Sequence, residues 1–134
     1  MKKIKIVKFP IIADERGKLS FVETGTNILM PIKRVFSVSI PFKKIRGCHA
    51  HKKCTQIIIC INGKIEILYD SGTSKKKYIL SKMFHGLIIP PKHWIEIVGL
   101  EKKSNFIVLC NTRYDKKEYI LDYKKYLKII KCNS

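Results

Sequence analysis

From Thr55 to Ile61 the chain is a short, isoleucine-rich apolar run, and Asn62-Gly63 closes it. A run of that length, β-branched and bounded by turn residues, reads as a strand. Asn-Gly is a strong hairpin signal, so Lys64 to Tyr69 is expected to return beside the run as its hairpin partner. Just ahead of the run lies Arg46-Gly47-Cys48-His49-Ala50-His51, which holds two of the four histidines. Alternate residues of a strand point to one face. His49 and His51 are therefore expected to project side by side, as a pair of imidazoles opening onto the middle of a sheet.

The rest of the chain repeats this pattern. Ile4, Ile6 and Phe9 alternate with lysines as an edge-type strand, Asp14-Glu15-Arg16-Gly17 is a turn, and Leu19 to Glu23 is a second short strand. Lys33 to Ile40 reads as a strand that stops at Pro41. Beyond the turn at Asp70 to Ser74 come Lys77–Leu80, Gly86–Ile89, His93–Val98 and Asn105–Cys110. Roughly ten short strands with regular turn punctuation describe an all-β sandwich or barrel. The end changes period: Tyr119, Ile120, Tyr123, Tyr126, Leu127 and Ile130 form a helical stripe, and Asp115 with Glu118 resembles a capping box. One amphipathic helix over Asp115 to Ile130 is expected on the outside of the barrel. With 134 residues and no internal linker or repeat, the chain is expected to be a single domain over residues 1–134.

The net charge of +18 raises the question of nucleic acid. Lysine supplies 24 of the 28 cations and arginine four, whereas base and phosphate forks favour arginine. The lysines are scattered, with Lys75-Lys76-Lys77 the only triplet. A solvated surface is the expectation, with no nucleic-acid partner, and the positive field suits capture of a small phosphorylated ligand. No apolar run approaches the ~18 residues of a membrane helix, and Lys5 and Lys8 break up any signal-peptide core. A cytoplasmic protein with no membrane partner is expected. The five cysteines have no C-x-x-C spacing, and Cys54, Cys60 and Cys110 fall in or beside apolar strands. They read as small core residues in a reducing compartment.

Two imidazoles on one face have three uses: metal binding, acid/base catalysis, or a structural pair of satisfied polar groups. Arg46 and Gln56 lie close by in sequence, and Arg46 is a candidate to assist, although as a strand neighbour its side chain is free to face away.

The motifs resemble the cupin superfamily, in which His-x-His is followed by a Glu and a Gly, with a third His in a later Pro-rich motif. Here Gln56 stands where the Glu would be, Gly63 follows at the expected gap, and Ile95 falls in the slot of the third histidine. Two of four ligands are missing, which argues against a metal, although His93 lies two residues from that slot.

The resemblance narrows to the sugar-nucleotide 3,4-ketoisomerases of that superfamily. It is carried by Arg46 to Lys53, Gln56 to Gly63, Gly86 to Pro91, Trp94 with Glu96, Tyr114-Asp115, Tyr119 to Tyr123, and the early Asp14 to Leu19. It implies a cupin-type double-stranded β-helix, or jelly roll, with a C-terminal helix. It implies conversion of dTDP-4-keto-6-deoxyglucose, a dTDP-linked 4-keto-6-deoxyhexose, to its 3-keto isomer, ahead of an aminotransferase that makes 3-amino sugars for surface glycans. No metal and no cofactor are implied, and the expected assembly is a homodimer with exchanged N-terminal strands. On this reading His51 is the main acid/base with His49 beside it. Arg46, Arg16, Arg34 and Gln56 are substrate-binding candidates, and Trp94 either stacks on the base or sugar or packs in the core. Relatives often carry a tyrosine in the strand before the histidine pair, where this chain has Ser37 or Ser39 beside Phe36, and a basic residue in place of Ile95.

Overall fold

A computed structural model describes residues 3–132. Strand β1 (Lys5–Lys8) is followed by a small hairpin of β2 (Ile11–Asp14) and β3 (Gly17–Ser20). Then come β4 (Arg34–Pro41), β5 (Ile45–His51), β6 (Gln56–Asn62), β7 (Ile65–Asp70), β8 (Lys75–Leu80), β9 (His85–Ile89), β10 (Trp94–Gly99) and β11 (Lys103–Cys110). A 3-10 turn (Lys116–Glu118), the two-residue β12 (Tyr119–Ile120) and helix α1 (Tyr123–Cys132) complete the described chain.

Two five-stranded sheets face each other, ordered β1-β9-β6-β11-β4 and β12-β5-β10-β7-β8, and all their ladders are antiparallel. This is the jelly roll expected of a cupin, with the C-terminal helix in place. Among the described residues no helix is long and apolar enough to cross a membrane.

The isoleucine run makes sense once β6 is seen between two layers. Ile58 and Cys60 point into the space between the sheets, with Ile65, Ile67, Leu80, Leu87, Phe106 and Val108. Ile57 and Ile59 point outward, yet are covered by Phe9 and Ile28 from the N-terminal segment. Both faces of the strand are dry, so the alternation expected of a half-exposed strand is absent. Each fully buried isoleucine contributes about 1.5–3 kcal/mol.

Asn62-Gly63 is not a hairpin turn. β6 pairs with β9 and β11, whereas β7 pairs with β8 and β10 in the other sheet. The dipeptide carries the chain across the sandwich. Gly63 has φ +79°, and a Cβ there would lie 2.4 Å from the Lys103 carbonyl. Ser104 fastens the corner, its hydroxyl accepting from Lys64 N at 3.1 Å and donating to Lys64 O at 2.9 Å.

The helix begins at Tyr123 rather than Asp115. Asp115 caps only the 3-10 turn, accepting from Lys117 N at 3.0 Å. Tyr119 and Ile120 then pair with His51 and Ala50 on β5, which holds the backbone extended. Asp122 starts α1 by accepting from Lys125 N at 3.1 Å. The apolar stripe of α1 covers the outer face of the second sheet, where Tyr126 is fully buried with Ala50, Trp94 and Ile120. The N-terminal strand expected over Leu19 to Glu23 instead ends at Ser20. Asn27 turns the chain there, accepting from Glu23 N at 2.8 Å and donating to Phe21 O at 3.0 Å.

Candidate active site

Arg46 and His49 are three residues apart and would point to opposite faces of a regular strand. β5 is not regular. Arg46 pairs with Ile97 and His49 with Ile95, so the chain holds one extra residue at Gly47-Cys48. Both take left-handed backbone, φ +88° and +56°. This bulge brings Arg46 and His49 onto the same inner face. They line one cavity between the sheets with Gln56, Ile95, Ile97, Phe36 and Phe106. Glycine at 47 is required twice, by its φ and by the Ile95 carbonyl 3.1 Å from where a Cβ would sit.

His49 and His51 project side by side, with ring centroids 5.0 Å apart and planes near perpendicular. Ala50 between them points the other way, beneath α1. His51 is buried and its Nδ1 meets Glu118 Oε2. The other oxygen of that carboxylate accepts the amides of Lys53 and Cys54, the latter at 2.7 Å. His49 is half-buried and its Nε2 is bare. Both Nε2 atoms are buried with no hydrogen-bond partner among the described residues.

The electrostatics follow from these contacts. Burial pushes His49 below its ordinary value, the Gly47 carbonyl opposes this, and neighbouring His51 adds to the lowering. His49 is thus held neutral near pH 7. Burial alone would raise the Glu118 carboxyl, but His51 and the two amides outweigh it and hold it below the usual range. A carboxylate fixed behind Nδ1 keeps the hydrogen on that nitrogen and leaves the lone pair of His51 Nε2 free to take a proton.

Gln56 is buried in the cavity wall, with Nε2 3.6 Å from Cys110 Sγ. Arg34, at the start of β4, donates to the Tyr119 hydroxyl at 2.9 Å, and its guanidinium lies over the Phe36 and Tyr114 rings. Arg16 sits on the β2–β3 hairpin, largely exposed and paired with Asp14, away from the histidines of its own chain. Trp94 is not at the site. It lies on the opposite face of β10 from Ile95, 5.2 Å from the Tyr123 ring and 5.8 Å from that of Tyr126, so it packs under α1 rather than stacking on a ligand. Ser37 and Ser39 are also turned away, since Phe36 and Val38 are the residues of β4 that face the cavity.

The other two histidines are elsewhere. His93 Nδ1 is held between the Pro90 and Pro91 carbonyls, 3.1 Å from each, and its ring lies against Tyr69 in a separate cavity. His85, on β9, pairs with Lys8 of the edge strand β1, and its Nε2 is buried. Among the described residues, no group of three or more His, Cys, Asp or Glu is placed to hold a metal ion. All five cysteines are free, with Cys54, Cys60 and Cys110 buried.

Two residues of the site were not legible as such. Glu118 looked like the third position of a capping box, and Tyr119 like part of a helical stripe. Tyr119 in fact packs on both imidazoles, its ring 4.4 Å from His51 and 5.2 Å from His49.

Fold and site together define a cupin whose inner face carries an imidazole pair, one member backed by a carboxylate. The family model described as FdtA, WxcM-like, C-terminal, matches residues 2–131, and the chain belongs to that family. It is 33% identical over 127 residues to the TDP-4-oxo-6-deoxy-α-D-glucose-3,4-oxoisomerase of Aneurinibacillus thermoaerophilus, covering 94% of this chain and 91% of that one. Among solved structures it is similar to the sugar 3,4-ketoisomerase QdtA of Thermoanaerobacterium thermosaccharolyticum in complex with TDP. That match has a TM-score of 0.93 and 32% identity over 97% of this chain and 96% of that one. The TDP-fucose-3,4-ketoisomerase WlaRA of Campylobacter jejuni matches with a TM-score of 0.87 and 36% identity over 96% of each chain.

Proposed function

We propose that this chain is an isomerase that moves the ketone of TDP-4-keto-6-deoxyglucose from C4 to C3. The observation that carries the reading is the His51–Glu118 pair beside His49, both imidazoles with a bare Nε2, and Arg46 on the cavity wall with His49. Moving the ketone requires a proton taken from C3 and one returned at C4, through an enediol. His51, with its carboxylate behind it, takes the C3 proton and holds the resulting charge; as imidazolium it returns the proton to C4. His49, kept neutral, lies alongside as a hydrogen-bond partner. Arg46 projects into the same cavity and supplies positive charge for the oxygen on which the enediolate forms. Gln56 completes the polar wall. The choice of substrate rests on the curated relative and on the sugar ketoisomerases among the solved structures. No step requires a metal or a redox cofactor.

The same reading makes the chain a cytoplasmic homodimer without nucleic-acid or membrane partners. Its support for the dimer is the β2–β3 hairpin, which among the described residues pairs only with itself and exposes Ile12 and Leu19 at 60% and 54%. An isolated two-stranded hairpin is marginal in water. On the outer face of the first sheet, Phe21, Val22, Val35, Ile61 and Ile107 line an apolar groove. Exchange of N-terminal strands between two chains would cover both surfaces and carry Arg16 onto the second chain. Light scattering of the purified protein tests this, with a dimeric mass expected.

The activity is tested by incubating the protein with TDP-4-keto-6-deoxyglucose and a 3-aminotransferase. A 3-amino sugar is expected with the native chain and none with His51→Asn, which should retain TDP binding. Failure of the native chain to yield any 3-amino sugar would overturn the reading.

A further inference from the structure

The sandwich has a second polar cavity, at the edge opposite β4. It lies between the two edge strands β1 and β8 and has a volume of about 330 Å³, at the lower end of the range of ligand sites. Lys3 and Ile4 from just before β1, Tyr69 of β7, Lys76 and Tyr78 of β8, and His93 of the β9–β10 connection line it. It shares no lining residue with the cavity of Arg46 and His49.

The charge of this cavity is one-sided. No carboxylate lines it, and neither lysine of its wall has an acidic partner among the described residues. Strand alternation sets Lys76 apart from its neighbours. Lys75 and Lys77 face the other way, where they reach the carboxylates of Asp70 and Glu66, each at 3.9 Å. Two lysines on one cavity focus a positive field into it and favour a doubly charged anion such as a phosphate monoester.

The rest of the wall suits hydroxyl groups. His93 is buried, and its Nδ1–H is committed to the Pro90 and Pro91 carbonyls at 3.1 Å each. Burial outweighs those carbonyls and holds His93 below its ordinary value, so the ring is neutral near pH 7. The other nitrogen, Nε2, then has a lone pair and no hydrogen, and accepts from an O–H. A fully deprotonated anion offers it nothing. The Tyr69 hydroxyl makes only a long 3.4 Å contact with Ser74 Oγ, and that of Tyr78 has no hydrogen-bond partner among the described residues. Both hydroxyls can donate or accept. The Tyr69 ring lies 5.6 Å from that of His93 and 6.0 Å from that of Tyr78. We propose that this cavity is a second ligand site, for a small phosphate monoester that also carries hydroxyl groups, with the phosphate on Lys3 and Lys76 and a hydroxyl donating to His93 Nε2. The site is separate from the imidazole pair, and it does not depend on the isomerase reading.

The test is an NMR titration of the isotope-labelled full chain with glucose 6-phosphate at ~pH 7.5, where the ester is a dianion. It is read at the imidazole signals of the four histidines. Saturating shifts are expected at His93, largest at Nε2, and not at His49 or His51. Sulfate has the double charge without an O–H, and glucose has the hydroxyls without charge. Each should bind at least about tenfold more weakly than the sugar phosphate. Lys76 is exposed, so Lys76→Gln keeps the fold. It should weaken binding about tenfold, the loss of one charge-assisted hydrogen bond, and leave turnover at the imidazole pair within about twofold. Tyr78→Phe should weaken binding about threefold. Sulfate or glucose binding as tightly as the sugar phosphate would overturn the proposal. So would shifts confined to His49 and His51, which would place the ligand in the catalytic cavity. An absence of saturation below ~10 mM, or an affinity unchanged in both variants, would overturn it as well.

Discussion

Glu118 and His51 meet 67 positions apart, the carboxylate closing on Nδ1 from a 3-10 turn that the second sheet draws in through β12. The carboxylate is anchored at its other oxygen by the Lys53 and Cys54 amides, one turn beyond the histidine it serves. Orientation of the acid/base and closure of the loop after β5 therefore depend on one side chain.

Glu118→Gln should show this. The site asks for two acceptor oxygens, and an amide has one acceptor and one donor. Either His51 Nδ1 or the two amides must then face an NH₂ group. The expected outcome is a kcat lower by ~10²–10⁴-fold with TDP affinity little changed. Stability should fall by about 1–3 kcal/mol, the cost of a buried donor left unpaired. Steady-state kinetics and denaturant melts read the two effects separately.

Stability should fall on acidification in two stages. His49 is held below its ordinary 6.5, first by burial. The unfolded chain therefore binds more protons below that pH, and stability drops as pH falls through the window beneath it. Glu118 is held below its ordinary 4.5, so its contribution is whole above that pH and is lost as pH falls through the folded value. Urea titrations from ~pH 2 to ~pH 8 should trace both stages. In His49→Asn the upper stage should flatten in part, because His85 and His93 are shifted in the same direction.

Gly63→Ala should be among the most damaging single-methyl changes in the chain. The left-handed backbone alone costs about 1–2 kcal/mol for a residue with a Cβ. The new atom would also meet Lys103 O and Ser104 Oγ at 2.4 and 2.6 Å. A clear drop in melting temperature is expected. A melt unchanged within error would mean that the corner between β6 and β7 is not built as described.

Trp94→Leu separates packing from binding. With the indole under α1 against Tyr123 and Tyr126, the change should cost about 1–3 kcal/mol of stability and leave TDP affinity within about twofold. A tenfold loss of affinity in a variant that still folds would return Trp94 to the ligand.

The legible parts of this molecule were those that local pattern decides. The period of two put His49 and His51 on one face, the short apolar runs marked the strands, and the tyrosine-rich stripe marked α1. What failed was local signal read without its partners. Asn62-Gly63 turns the chain in either setting, but whether it closes a hairpin or crosses a sandwich depends on β9 and β11, which arrive later in the chain. Asp115 and Glu118 have capping-box spacing, yet the pairing of Tyr119 with His51 holds that segment extended and frees Glu118 for the imidazole. Arg46 could be named but not aimed, because an extra residue at Gly47-Cys48 shows only in the register against Ile95 and Ile97. Trp94 lies one residue from the cavity-facing Ile95, and strand alternation puts it on the far side.

The account turns on where the ketone ends. NMR of TDP-4-keto-6-deoxyglucose incubated with the purified protein reads this directly from the ring proton and carbon signals. The account predicts a carbonyl carbon at C3 and a new proton at C4, with none of this in His51→Asn. A product mixture in which the carbonyl stays at C4, whatever happens at the neighbouring stereocentres, would contradict it.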